Sequence, residues 1–154
     1  MGFNVAEQGH VVNALAPVDI NGGVTSDAWK MNDWEEANII IQLGVTGAAS
    51  TITLEECTSA AGAGNTAIAF KYYSEATAAG DTLSTRTSAT AAGFATSTNN
   101  GVMYCINIKA RELSQGSNWL RVVFSDPSAE TFGSVAVVLT GGRAQGDPTA
   151  TAIA

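Results

Sequence analysis

Short apolar segments with the alternation of β-strands recur along the whole chain, and none has the length or period of a stable helix. Residues 51–57 are the clearest case, because Ile52 and Leu54 fall on one side of an extended chain and Thr51 and Thr53 on the other. Comparable segments are VVNAL, VDI, SDAWKM, ANIIIQLGVT, AIAFKYYSEA, VMYCINIKA, WLRVVFS and SVAVVLTGG. Gly, Asn, Asp and Pro residues that favour chain reversal lie between them. The pattern predicts an all-β fold, an antiparallel β-sandwich for which we expect a jelly roll with extended N- and C-terminal arms.

Local features refine this prediction. Pro17 interrupts the first apolar segment, which suits an edge strand or a bend because proline lacks a backbone N–H. The sequence Asn99-Asn100-Gly101 is typical of a tight hairpin, which would pair residues 95–98 with residues 103–106. The best helical signal is a single turn within residues 110–116, which would close near its final glycine.

Residues 74–98 are poor in large apolar side chains, although strand-like segments flank them. Twenty of these twenty-five residues are Ala, Thr, Ser or Gly, and only Glu75, Asp81 and Arg86 are charged. Such a segment buries too little surface by itself to offset the entropy of ordering it. We expect it to be disordered, to lie in a sheet or to be held by a neighbour. This composition points to a protein that completes its structure in an assembly.

The chain of 154 residues is long enough to form one domain with its own core. We expect residues 1–12 to form an N-terminal arm, residues 13–143 the sandwich domain and residues 144–154 a C-terminal arm. The first residues show no basic region followed by an apolar core, so we expect no secretory signal. No apolar run approaches the ~20 residues that a membrane-spanning helix needs.

The charge of the chain changes the range of partners that we expect. The formal net charge is −7, and charged residues make up only 14% of the chain. The seven Lys and Arg residues are scattered singly, so they form no basic patch of the kind that binds nucleic acid. The acidic excess would also repel an anionic membrane surface. A low charge density suits a surface that partner proteins partly cover.

The sequence contains no arrangement of residues that is typical of a catalytic or metal site. His10 is the only histidine, and the motifs HExxH, GxxxxGK[ST], GxGxxG and GxSxG are absent. Glu55 and Glu56 would point to opposite faces of a strand, so they cannot form a facing carboxylate pair. We therefore expect no enzyme and no cofactor or metal. Cys57 and Cys105 lie in separate strand-like segments, and the sequence leaves open whether they are paired.

Trp29 and Trp34 lie on either side of Asp33 and are open to two interpretations. Tryptophans beside an acidic residue can form a platform for a sugar ring. Tryptophan is also enriched at subunit contacts and as an anchor of strands, and we favour this second interpretation. A small hydrolase that depends on Asp33 is the least favoured alternative.

Long segments of the chain resemble a known group of proteins. They are KYYSEATAAGDTLSTRTSATAAGFATSTNNGVMYCINIKARELSQGSNWLRVVFSDP, the following SVAVVLTGGRAQGDPTATAIA, and NVAEQGHVVNALAPVDINGGV near the N-terminus. They are similar to a family of small proteins that tailed phages and prophages encode near their head genes. The resemblance covers most of the chain and includes no catalytic motif. It implies a virion structural protein, foremost a head decoration (cement) protein, several of which are jelly rolls on local symmetry axes of the capsid.

A decoration protein of this kind would bind the outer surface of the head lattice and stabilise it, because it binds the assembled lattice and not the loose subunit. The expected partners are the major capsid protein and further copies of the chain, as a dimer or trimer. The expected location is the virion, assembled in the bacterial host cytoplasm. Alternatives are a tail or fibre-associated protein and a carbohydrate-binding β-sandwich module. The candidate interface residues are Phe3, Val5, His10, Trp29, Trp34, Arg143, Pro148 and Ile153.

Overall fold

The computed structural model describes residues 2, 4–75, 82–142 and 152–153, and most of them lie in β-strands. Two antiparallel sheets pack against each other, which confirms the predicted all-β sandwich. Among the residues so described, no helix is both long enough and apolar enough to cross a membrane. The elements are α1 (Val5–Gln8), β1 (Gly9–Asp19), β2 (Val24–Thr25), β3 (Trp29–Lys30), β4 (Trp34–Thr46), β5 (Thr51–Cys57), β6 (Thr66–Ile68), β7 (Phe70–Glu75), β8 (Thr87–Ala89), β9 (Phe94–Ala95), β10 (Met103–Lys109), the 3₁₀ turn Ala110–Glu112, β11 (Trp119–Phe124) and β12 (Thr131–Gly142).

The first sheet has the strand order β1-β12-β4-β10-β7-β8, and the second has the order β2-β11-β5-β6. Two further short strands belong to the second sheet: β3 pairs with β11, and β9 pairs with β5. Every strand pair is antiparallel. The more specific expectation of a jelly roll stays a prediction.

The core lies between the sheets and is built from alternate residues of the long strands. In β4, Ile39, Ile41 and Leu43 are buried, whereas the residues between them are at least partly exposed. Strand β5 contributes Ile52 and Leu54 in the same way, as the alternation in the sequence predicts. Full burial of one such side chain is worth about 1.5–3 kcal/mol, so these rows supply most of the cohesion between the sheets.

The N-terminal arm is shorter than predicted, because the first strand begins at Gly9 and not after residue 12. Gly9 and His10 pair with Thr140 and Leu139 of β12, which ties this segment into the first sheet. The helix α1 precedes it and is capped by Asn4, whose Oδ1 accepts a hydrogen bond from the Ala6 N–H at 3.2 Å. Strand β1 is an edge strand with register shifts near Pro17, as we expected for proline at that position.

The predicted hairpin at Asn99-Asn100-Gly101 is wrong. Strand β10 pairs with β4 on one side and β7 on the other, so neither of its edges is free for residues 95–98. The turn instead contacts the end of β4, where Asn100 Oδ1 accepts a hydrogen bond from the Thr46 N–H at 2.8 Å. The segment before the turn joins the other sheet, in which Phe94 pairs with Ile52 of β5.

An aromatic cluster holds the described part of the Ala- and Thr-rich stretch. The rings of Phe94 and Tyr72 stack with centroids 3.9 Å apart, and Tyr104 lies 5.0 Å from Phe94. The Tyr104 hydroxyl also accepts a hydrogen bond from the Ser97 N–H at 2.7 Å. Strand β8 from the same stretch pairs with β7 at the sheet edge. Neighbouring strands therefore order residues 82–98, while residues 76–81 lie outside the described part.

Residues 152–153 close one end of the sandwich. The carbonyl of Ala152 accepts a hydrogen bond from the Lys30 N–H at 2.8 Å, and Ile153 forms a β-bridge with Trp29. Ala152 is buried, and Ile153 packs against the core. The end of the predicted C-terminal arm is thus a structural contact of this domain, and most of the remaining arm lies outside the described residues.

We expect Ile153→Ala to lower the free energy of unfolding by about 1–2 kcal/mol. The estimate lies below the range for a fully buried isoleucine because Ile153 is only half-buried. Loss of this cover should also shift tryptophan emission to longer wavelength. Urea unfolding followed by fluorescence measures both effects, with Val5→Ala in the exposed helix as the control. Equal stability of the two variants would contradict the proposed contact.

We expect Gly93→Ala to be more destabilising than Gly116→Ala. Both glycines have positive φ, at +80° and +89°, so alanine costs about 1–2 kcal/mol at either position. At Gly93 an added Cβ would also lie 2.0 Å from the Ile52 carbonyl oxygen, whereas the space around Gly116 is open. The clash should add about 1–3 kcal/mol at Gly93. Thermal unfolding of both variants tests the expectation, and equal losses would contradict the tight approach of this turn to β5.

Candidate interaction surface

The outer face of the first sheet has an uncharged row of side chains across its centre. In register across five strands, this row contains Asn13 (β1), Ala136 (β12), Ile40 (β4), Cys105 (β10) and Tyr73 (β7). Directly paired residues of antiparallel strands point to the same face, so these side chains are neighbours. Asn13 is exposed and the other four are half-buried, although no second layer of this chain is described above them. We call this set the central row.

A second row next to the central row is also uncharged. It contains Val11, Val138, Asn38 and Asn107, in register across β1, β12, β4 and β10. Val11 is 54% exposed, which is unusual for valine in a strand. The two amides bond to each other, since Asn107 Nδ2 donates to Asn38 Oδ1 at 2.8 Å. The two rows together bring nine uncharged side chains onto one face.

The charged groups of this face lie at its perimeter and balance one another. On one side, the Lys109 ammonium lies 3.5 Å from the Glu36 carboxylate. On the opposite side Glu75 pairs with Met103 and is itself buried. Lys71 shares the face with Tyr73, because alternate residues of a strand point to the same side. Arg86 and Glu112 lie beside Lys71, so three carboxylates and three basic groups sum to zero, whereas the whole chain carries −7.

The outer face of the second sheet differs, because side chains and loops of the chain cover it. At its centre, Arg121 Nε and Nη2 both lie 2.7 Å from Glu55 Oε2. The loop at Gly62 approaches so closely that an added Cβ would lie 2.0 Å from Arg121 Nη1. Gly93 approaches the backbone of β5 on the same sheet. Polar pairing and loop cover leave this face with no extended apolar row comparable to that of the first sheet.

The two cysteines are unpaired and lie in different sheets. Cys57 is buried at the end of β5, whereas Cys105 is half-buried in the central row. Burial raises the pKa of both thiols above the ordinary value, because the thiolate loses solvation. At Cys57 the Arg121 guanidinium partly opposes this rise in pKa. Because it is only half-buried, Cys105 is the more accessible of the two thiols.

The predicted interface residues lie in different parts of the structure. Trp29 is fully buried, so its assignment to an interface is wrong, and its place is in the core beneath Ile153. Val5 is 40% exposed on the short helix. His10 and Trp34 stack with ring centroids 5.7 Å apart, so they meet at one end of the first sheet. The remaining candidates Phe3, Arg143 and Pro148 lie outside the described residues.

The carboxylates that were considered for catalysis are engaged in structural contacts. Asp33 is exposed and lies 3.8 Å from the Lys30 ammonium. Glu55 pairs with Arg121, and Glu56 Oε2 accepts a hydrogen bond from the Ser114 N–H at 2.8 Å. Within residues 4–75, 82–142 and 152–153, no three His, Cys, Asp or Glu side chains lie close enough to hold a metal ion.

A surface groove of about 350 Å³ lies where β7 and β8 meet the end of β10. Its charged side chains are Lys71, Arg86 and Glu112, and Phe70 and Ile108 form its apolar floor. The groove lining contains no histidine, cysteine or pair of carboxylates. Its shape and composition fit a surface depression better than a catalytic cleft.

Sequence reasoning missed the central row because it looked for chemistry at aromatic and charged residues. A signal was present, since the runs Ile39-Ile40-Ile41 and Val135-Ala136-Val137-Val138 are apolar on both faces of their strands. In an antiparallel sheet with one solvated face, the outward positions are usually polar.

Comparison of the chain with protein-family models, curated proteins and solved structures gives no match. The candidate surface therefore rests on its own geometry.

We expect maleimide to modify Cys105 and to leave Cys57 unreacted in the folded protein at low concentration. Because burial raises the pKa of Cys105, its thiolate fraction at neutral pH is smaller than that of an exposed cysteine. The labelling rate should therefore keep rising as the pH passes the ordinary thiol pKa. Mass spectrometry of Cys57→Ser and Cys105→Ser variants identifies the site. Equal labelling of both thiols in the native protein would contradict the burial of Cys57.

Proposed function

We propose that the protein is a structural component of a phage particle, a decoration protein that binds the outer surface of the head and stabilises it. The observation that carries the proposal is the uncharged outer face of the first sheet, with nine neighbouring side chains that lack charge. Depletion of charge at the centre of a surface, with charged groups at its rim, is typical of contacts with other proteins. The resemblance of the chain to phage and prophage proteins encoded near head genes supports the head as the particle.

The strand order supports this proposal. We infer that the eight strands β1–β6 and β10–β12, with β2 and β3 counted as one interrupted strand, form a jelly roll into which β7–β9 are inserted. The first and last strands are neighbours in one sheet, and successive strands change sheets except from β5 to β6, as in a double Greek key. Jelly rolls are common among viral capsid domains, but fold alone does not assign function.

We infer further that the protein makes and breaks no covalent bond. Of the candidate catalytic carboxylates, Glu55 is paired with Arg121 and Glu56 accepts a hydrogen bond from a backbone N–H, whereas Asp33 is an exposed surface carboxylate near Lys30. A sugar platform made of two tryptophans is also disfavoured, because Trp29 is in the core and one face of Trp34 is stacked on His10. Adhesion accounts for the exposed surface better than either alternative.

The physical role of such a protein follows from linkage. A protein that binds the assembled lattice, and has no affinity for the loose subunit, stabilises the lattice by RT ln(1 + [L]/Kd). At a concentration a hundred times Kd, this is about 2.7 kcal/mol for each occupied site. Summed over the many sites of a shell, a modest affinity is sufficient to resist heat and internal pressure.

Co-sedimentation with purified particle parts tests the function. We expect the protein to sediment with mature heads and to stay in the supernatant with tails, which serve as the control. Heads that are assembled without it should lose their genome at a lower temperature, and added protein should restore the wild-type value. Heads of unchanged thermal stability that carry no density for the protein would overturn the proposal, and binding to tails alone would favour a tail role.

A further inference from the structure

We propose that the outer face of the first sheet is the interface between two copies of this chain. The two copies would pack face to face around a twofold axis, with the central row of one copy on that of the other. This inference rests on the proposed function in treating the face as adhesive, and it goes further by naming the occupant.

Charge is compatible with a second copy on this face. Two chains with a net charge of −7 repel each other in most orientations. On the outer face of the first sheet, the three acidic and three basic side chains at the perimeter sum to zero, and both middle rows are uncharged. Like-charge repulsion between two copies is therefore weak when they meet through this face. Depletion of charge at the centre with polar groups at the rim is also the usual anatomy of a protein interface.

Shape supports the same occupant. Two flat sheet faces pack well at a spacing of about 10 Å, with side chains of the facing rows interdigitated. A twofold pair needs one surface that is complementary to itself, and the rows of small and medium side chains on this face meet that need. Ile40 lies on β4, the third of the five strands, and is the central apolar side chain of the face. The same residue of the partner copy would lie near it.

The area is sufficient for a specific dimer. Five strands about 4.8 Å apart span roughly 24 Å, and the residues from Glu36 to Gln42 of β4 span about 20 Å. The face is therefore about 500 Å² in each copy, and two copies would bury about 1,000 Å² together. A specific interface needs roughly 1,000 Å² with good complementarity. The estimate places the pair at the weaker end of stable dimers, for which dissociation on dilution is measurable.

Sedimentation equilibrium over a wide concentration range tests the pairing with a matched set of variants. We expect wild type to form a dimer that Ile40→Asp weakens by about a hundredfold or more, because both copies then bring a carboxylate into apolar contact. Val123→Asp is the matched control, since Val123 is a half-buried β-branched residue on the outer face of the second sheet. This control should dimerise like wild type. Equal dimerisation of both variants would overturn the proposal, as would a wild type that is monomeric or trimeric.

A measurement on the unmodified protein keeps the inference falsifiable if Ile40→Asp does not fold. Cys105 lies in the central row, so its maleimide labelling should slow as the protein concentration rises and the dimer covers it. Cys57 provides the internal control, because it is buried inside the same chain at every concentration. A labelling rate of Cys105 that is independent of concentration would overturn the proposed interface.

Failure of this inference and failure of the proposed function give different results. If wild type stays monomeric and Ile40→Asp abolishes sedimentation with heads, the face binds the capsid, and only the dimer proposal fails. If wild type dimerises through Ile40 but no variant sediments with heads, the dimer proposal stands and the decoration proposal fails. Co-sedimentation and sedimentation equilibrium on the same three proteins therefore separate the two proposals.

Discussion

The pairing of β4 with two neighbours at once is the constraint on which the rest of the structure depends. Strand β12 lies on one side and β10 on the other, and the register of both pairs directs Ile39 and Ile41 to the core and Ile40 to the outer face. The three consecutive isoleucines at 39–41 are equally compatible with the opposite orientation, in which Ile40 would face the core and its two neighbours would face outward. The polar flanks of the strand decide between them, because a slip by one residue would bury Asn38 or Glu36 and lose their partners on β10.

Two segments that form few contacts within themselves pack against the sheets once the register of β4 is set. Phe94 is the one large ring in a segment of small residues, and its stack with Tyr72 ties that segment to the first sheet while its strand pairs with β5 of the second. Ala152 and Ile153 cover Trp29 in a similar way. These contacts join segments that are distant in sequence, so their order depends on the sheets forming first.

The two outer faces of the sandwich have different physical characters, and this asymmetry is the basis of the functional proposal. The Arg121–Glu55 pair and the turn at Gly62 occupy the second sheet. The first sheet presents the central row to solvent with its charges confined to the perimeter. Exposure of such a row to water is unfavourable, and association removes that cost. A sandwich whose two outer faces differ in this way is therefore consistent with an adhesive protein.

Alternation along the sequence was sufficient to identify the all-β class, most strand positions and the inward residues of β5, because a two-residue period is a local property of the chain. It did not determine which strands are neighbours. Residues 94–95 pair with β5 and not with β10, since both edges of β10 are taken by distant strands. Likewise, the burial of Trp29 and the alignment of Ile40 with Cys105 depend on backbone pairing between segments far apart in sequence. Only the tertiary structure decides such pairings, because they depend on competition among all strands for a limited number of edges.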